Sequence, residues 1–481
     1  MTSQKLYLLP KETPAAFVNT IDAWVPAYWA NESISILVEN LQMAALVYRD
    51  FENIIADSGD TVNTRKPGEF IAKNKTNNSN IGLQDATATN IPIVLNQHIY
   101  VSFLIRDREQ SRAFADLINE YLKPAMIAIA RRIDRMLLGQ APRFLRADAK
   151  TAGQLGVDAT VPTMLACRRN LNNNKCPLEN RNLIISSKDE AALLALDTFI
   201  NAAKVGDDGT ALREASLGRR LGFDVYMCQN TCSVTGTSDT MSGAINAGLI
   251  AKGTTVLTVN GFTGAVTVGS WLTVAGDMIP QRITAHTETT GNTTSITITP
   301  GLASAVVTTA VVTVYTPGAV NQNGTVSDPD GNVIQATTGY AAGWEMPITY
   351  NTFTNDPQVG QFVQFVAGGD MYVVVSIDTV NKLMQLDRPL VLAIAHAQAI
   401  FLGPNGTYNL GFHEQAIALV TRPMALPREG TGAIGAVANW ANLSVRVVWA
   451  YDYKKQGMAV TVDVLCGVAI LEPLKGEVML G

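Results

Sequence analysis

At about Ser233 the sequence changes character, and no other feature constrains the fold more. Threonine supplies about a quarter of the next eighty residues, and between 251 and 323 the only formal charges are Lys252, Asp277, Arg282 and Glu288. Short Val, Thr and Ile runs separated by Gly, Asn and Pro predict strands joined by tight turns, because branched side chains pack well on a pleated surface. An all-β unit is therefore expected over 236–400, bounded on both sides by sequence of a different kind. Within it, VGSWLTVAGDM (Val268 to Met278) resembles VGQFVQFVAGGDM (Val359 to Met371), and ITITPGLASAVVTTAVVTVY lines up with MQLDRPLVLAIAHAQAIFLG through Pro300 and Pro389. Two tandem barrels or sandwiches, 236–325 and 326–400, account for this. Convergent strand-turn-strand patterning is the plainer alternative, since Gly-Asp turns recur in any β-protein.

The flanking sequence is mixed. Asn31 stands where an N-cap is expected, ahead of Ile34, Leu37, Val38, Leu41, Ala45 and Tyr48 on one helical face, after an irregular arm containing Trp24 and Trp29. GDTVNTRKPGEF, a polar stretch and IPIVLNQHIYVSFLI then predict a long two-stranded arm over about 59–99, with Ile91, Ile93 and Leu95 on one side. Its tip is too polar to pack a core, and a lone hairpin is only marginally stable in water, so something outside must hold it. From about Asp107 to Leu138, 3–4 spacing of apolar residues predicts a long helix bent near Glu120 by Pro124. PTMLACRRNL predicts a helix, LIISS a buried strand and KDEAALLALDTF another helix. The tail from NLGFHEQAIALVTRP to the end returns to long strands.

A chain of 481 residues exceeds the roughly 250–300 at which single cores stop growing, so two or more domains are expected. No apolar run approaches the roughly 18 residues that span a bilayer, and the start lacks the apolar core of a signal peptide. The five cysteines, Cys167, Cys176, Cys228, Cys232 and Cys466, are odd in number and irregularly spaced, which suits reduced thiols in a cytoplasm. A net charge of −5 without blocks of like charge gives no support for gripping a phosphate backbone, so any role beside nucleic acid is containment.

Motifs for chemistry are thin. Gly430-Thr431-Gly432-Ala433-Ile434-Gly435 reads G-x-G-x-x-G, but Pro427 precedes it and a strand follows where a dinucleotide site needs a helix. Asp328-Pro329-Asp330-Gly331-Asn332 resembles half a calcium loop, with Gly331 misplaced and no closing Glu. Cys228 and Cys232 lack two further zinc ligands, and His98, His286, His396 and His413 are scattered, so neither a metal site nor a triad is expected. Lys73 and Lys75 near Asn74, Asn77 and Asn78 are read as solvated tip residues rather than crosslinking pairs. No cofactor, metal or catalytic residue is assigned.

The ordered set of segments is more specific than any one motif. GDTVNTRKPGEF with LQDATATNIPIVLNQHIYVSFLI resembles the extended E-loop and its return strand in the HK97 fold of tailed-phage major capsid proteins. LINEYLKPAMIAIARRIDRMLL resembles the spine helix, with Lys123-Pro124-Ala125 at the family's usual place. LACRRNLNNNKCPLENRNLIISS, LGRRLGFDVYMCQN, NLGFHEQAIALVTRPMALP and SVRVVWAYDYKKQGMAVTVDVLCGVAILEP are similar in order and spacing to short-tailed-phage coat proteins, which carry a β-barrel insertion between the third and second of these words. The resemblance covers about 20–235 and 405–481, and the apparent doubling of the insertion departs from it.

The resemblance implies an α+β capsid fold: 1–55 an N-terminal arm and helix, 56–104 the E-loop, 105–140 the spine helix, 141–235 with 401–481 the α/β body, and 236–325 and 326–400 the insertion. It implies a non-enzymatic shell subunit of the virion, assembled in the host cytoplasm. Partners would be copies of itself in pentamers and hexamers, with scaffolding and portal proteins, around double-stranded DNA and without membrane. Arg65, Lys66, Lys73, Lys75 and Asp85 are the candidate intersubunit contacts. A tail or adhesion protein with tandem β modules is the alternative, and a hydrolase would need a paired-carboxylate cleft that the sequence does not identify.

Overall fold

The computed structural model describes residues 21–49, 61–66, 89–106 except 96, 118–144, 161–201, 217–234 except 232, most of 240–321, 339–428 and 432–480, with short stretches between 72 and 83, at 215, 326–327 and 333–334. Mixed helix and strand make up the body, and strands dominate.

A helix over Ile21–Asn40 begins well before Asn31 and passes straight through it. The expected cap and irregular arm are corrected by burial: Trp29 is fully enclosed and meets Trp449 edge to face at 5.0 Å. Asn31 is exposed there, so a mediocre helix former costs only a few tenths of a kcal/mol. Ile34, Ile36 and Leu37 complete the buried side.

The second helix runs over Lys123–Leu138 and buries Met126, Ile129, Ile133 and Leu137. Pro124 lies in its first turn, where a missing N–H costs nothing, so it starts the α-helix rather than bending one. A π-helical turn, Ile118–Leu122, leads into it, and the expected segment 107–117 lies outside the described residues. Further helices are Val161–Asn173, Ser187–Leu194 and Asp197–Ile200, the first two flanking the buried strand Arg181–Ile185. Ser186 caps the Ser187–Leu194 helix by accepting from Asp189 N, which satisfies one orphan donor.

Two sheets carry the body. One is ordered Gly476–Leu480, Gly406–His413, Arg181–Ile185, Phe223–Met227, Arg219–Arg220, with the central Arg181–Ile185 and Phe223–Met227 parallel. The other is organised on the 14-residue strand Gly457–Ile470. Gln97–Arg106 pairs along one edge of it; Leu443–Asp452 and then Ile417–Arg422 share the other, and Ala433–Trp440 extends the sheet. Ser233–Val234 pairs with Gly406–Thr407, so the chain leaves and re-enters the body on adjacent strands.

Between those two points the chain forms two closed six-stranded barrels. The first uses Thr240–Ile245, Val256–Asn260, Trp271–Val274, Gln281–Thr289, Asn292–Thr299 and Val311–Tyr315; the second uses Gly318–Val320, Ile348–Asn351, Phe362–Gln364, Tyr372–Asp378, Leu383–Leu386 and Ala399–Leu402. Each has its own apolar interior, Leu257, Leu272, Ile296 and Val312 in the first, Val363, Val374, Met384 and Ile400 in the second.

Candidate assembly surface

The arm is rooted in the body. Thr61–Lys66 and Thr89–Val94 pair antiparallel, placing Arg65 opposite Asn90 and Lys66 opposite Thr89. Val62, Ile93 and Leu95 pack on Ala418 and Val420, giving one dry side to an otherwise wet hairpin. Pro92 and Val94 face outward as the alternation predicts. Asn90 donates to the Asn63 side chain at 3.0 Å on the exposed face. Beside the root, Tyr48 N donates to Ile417 O and Leu419 N donates to Tyr48 O, fastening the segment after the first helix to the same strand.

The return strand needs Gly467. A Cβ there would run into the carbonyl oxygen of Val94, so the close crossing of Val94–Leu95 over Gly457–Ile470 requires glycine. Beyond it, His98 Nε2 lies 3.2 Å from the buried Asp463 carboxylate, whose other oxygen accepts from Arg446 Nε at 2.9 Å. A buried carboxylate needs such partners, and this one locks three neighbouring strands side by side.

Of the residues expected to touch another subunit, Arg65 and Lys66 occupy the arm strand, and Lys73 and Lys75 are exposed beyond it. Leu83 is 93% exposed. Asp85 lies outside the described residues. Asn74 and Asn77 are exposed as well, and Asn78 is outside the described residues.

The other motifs find structural places. Gly432 turns with φ +73° directly into the strand Ala433–Trp440, so no helix follows the glycines, and 430–431 lie outside the described residues, as does 328–332. Cys167, Cys176, Cys228 and Cys466 are buried free thiols. Burial pushes the Cys466 thiol up to about 12 despite Arg132 nearby, which leaves it unreactive near neutrality. Among the described residues no three His, Cys, Asp or Glu side chains gather as metal ligands, and no helix is long and apolar enough to cross a membrane.

Sequence reasoning missed the contact that ties the second barrel to the body. Asp387, buried at the end of Leu383–Leu386, accepts from Val373 N at 2.8 Å and Gln140 Nε2 at 3.3 Å, and pairs with Arg143. Its own carbonyl accepts from Gln97 Nε2 at 3.0 Å, and Arg132 Nη1 donates to Val375 O at 2.7 Å. Burial lowers the Arg143 pKa while Asp387 opposes that shift. A cavity of about 230 Å³ remains beside this joint, between Arg135 and Met136 of the helix, Gln229–Thr231 and Val373–Val375.

No family model and no curated protein matches the chain. Among solved structures it is similar to "Mycobacterium phage Che8" (TM-score 0.41, 10% identity, 91% of this chain and 90% of that one). It is also similar to "Capsid structure of the Cyanophage P-SCSP1u" (0.40, 10%, 90% and 88%) and "Capsid structure of Staphylococcus phage Andhra" (0.39, 8%, 92% and 86%). These likenesses run over most of each chain, at identities too low to carry any residue's role across.

Proposed function

We propose that this chain is the major capsid protein of a tailed double-stranded-DNA bacteriophage, a structural subunit that assembles with copies of itself, as pentamers and hexamers, into an icosahedral shell. In this reading the fold is HK97-like: 1–55 is the N-terminal arm and helix, 56–104 the E-loop, 105–140 the spine helix, 141–235 with 401–481 the body, and 236–325 and 326–400 the doubled insertion. Assembly takes place in the host cytoplasm with scaffolding and portal proteins, and the product is the virion shell.

The observation that carries the reading is the arm. Its root is packed by Val62, Ile93 and Leu95, while Lys73, Asn74, Lys75 and Leu83 beyond the root are exposed. Ordering such a segment costs roughly 1–2 kcal/mol per residue, which a neighbouring subunit offsets by covering it. Rings of five and six use heterologous contacts, and an arm laid on the next subunit supplies a surface that is not self-complementary. Arg65, Lys66, Lys73, Lys75 and Asp85 are the charges that would meet that neighbour. With a net charge of −5 the subunit contains DNA rather than gripping it.

Deleting 71–84 tests this. The truncated chain should remain a folded monomer by circular dichroism and form no closed shells in negative-stain micrographs. Normal closed particles from the truncated chain would remove the arm from the assembly interface, and the shell reading would lose its mechanical basis.

A further inference from the structure

The two barrels are built to one plan in detail. With strands lettered a to f in chain order, both close in the cyclic order c-d-e-b-a-f. Strand c opens on Gly269-Ser270-Trp271 in the first and Gly360-Gln361-Phe362 in the second, and the glycines share a positive φ, +93° and +89°. Gly269 N donates to Ile283 O at 2.8 Å and Gly360 N to Val374 O at 2.7 Å; Ile283 N returns to Ser270 O at 3.0 Å and Val374 N to Gln361 O at 2.9 Å. Strand d breaks register at the same place in both, after Ile283 and after Val374. Bulges at matching positions mark a copied backbone rather than convergent turns.

The face made by the turn glycine and the start of strand d is the one by which each barrel is attached. In the second barrel it meets the body: Val373 lies 3.0 Å from where a Gly139 side chain would begin, and Val375 O accepts from Arg132. In the first barrel the matching residues meet the second barrel. A Cβ on Gly269 would lie 2.6 Å from Ala367 and 3.0 Å from Phe401; Trp271 Nε1 donates to Gln364 at 3.2 Å and stands edge to face with Phe362 at 5.4 Å. Arg282, the counterpart of Val373, is buried there against Gln364 with its guanidinium 4.9 Å from the Trp271 ring. The Asp387 joint belongs to the second barrel alone. The first barrel also reaches the body through Tyr315, whose hydroxyl accepts from Asn405 N at 3.1 Å and which, with Trp271, belongs to the body's apolar cluster.

We infer that the first barrel is a carried module, docked on the second barrel through a copy of the face by which the second barrel braces the body, and separable from the body without loss of its fold. The ends of the first barrel, Thr240 and Tyr315, are register partners, so the gap left by removing it is closed by neighbouring residues. The second barrel cannot be treated so, because its removal would strand Arg143 beside an absent carboxylate in the interior. The inference goes beyond the shell reading and does not depend on it. Where a shell forms, it makes the first barrel the position at which a different domain with adjacent ends can be carried.

The test compares three variants of the full chain by amide exchange across Lys123–Leu138 and by thermal melting. One has 240–315 excised and 239 joined to 316; one carries Arg282→Ala with Gln364→Ala; one carries Asp387→Ala. The excised chain should stay soluble with helix exchange within twofold of the parent. The double substitution should leave helix exchange unchanged while a protease releases a barrel-sized fragment. Asp387→Ala should raise helix exchange at least tenfold. The inference is overturned if the double substitution speeds helix exchange as much as Asp387→Ala does. It is also overturned if the excised chain is unfolded although the double substitution releases an intact barrel from an unchanged body.

Discussion

Asp134 projects from the Lys123–Leu138 helix to the turn at Met43–Ala45, accepting from Met43 N at 3.2 Å and Gln42 N at 3.3 Å. Desolvation raises its pKa to about 6, with those N–H groups opposing the shift and the Cys228 thiol the titratable neighbour. A carboxyl whose folded pKa lies above its unfolded value is favoured protonated in the fold. Its contribution is therefore greatest at low pH and is lost as pH rises through about 6, to a limit of about 3 kcal/mol. Asp134→Asn keeps an acceptor and removes the titration. The melting temperature of the parent minus that of Asp134→Asn should fall between pH 4 and 7 and be flat above; a difference independent of pH would remove this role. Nothing in the sequence signals this residue, because its partners are backbone groups some ninety positions away. The Asp387 joint was hidden for the same reason: Gln97, Gln140 and Arg143 carry no motif that points to a carboxylate so distant in the chain. By contrast Gly269 and Gly360 were visible as repeated words, since a positive φ makes a local demand that only a few residue types meet.

At the scale of elements, periodicity was legible where one face is buried and misleading where a local rule met tertiary packing. The alternation through Ile91, Ile93 and Leu95 matches the strand, but Asn31 is an interior helix residue because Trp29 beside it is gripped by Trp449. Spacing alone makes Pro124 an interruption, whereas its place in the first turn makes it a start. Strand crossing adds a dependence that pattern cannot show. Gly467→Ala would drive a methyl into the Val94 carbonyl and should cost several kcal/mol, with the strand Thr89–Val94 becoming protease-sensitive before the rest of the sheet. Unchanged melting and unchanged cleavage would show that the crossing is looser than described. The barrels, each with its own interior, should also stand alone together: a fragment of 236–404 should melt cooperatively with a β-type dichroism spectrum, and a disordered spectrum would contradict it.

For the whole molecule, the shell reading ties the arm's order to assembly. Amides of 72–83 should exchange fast in the free subunit and at least tenfold slower in particles, and equal rates in both would separate the arm from the intersubunit contact. In the shell reading, the long strand Gly457–Ile470 has a different bearing on how the subunit carries load. Hydrogen bonds between antiparallel strands run across the strand axis, so a pull along that axis strains them all together instead of unzipping them singly. Gln97–Arg106 pairs one edge from Gly457 to Cys466, and Leu443–Asp452 and Ile417–Arg422 grip the other in series. Tension directed along this strand is shared in shear by both edges, so no single hydrogen bond meets it alone.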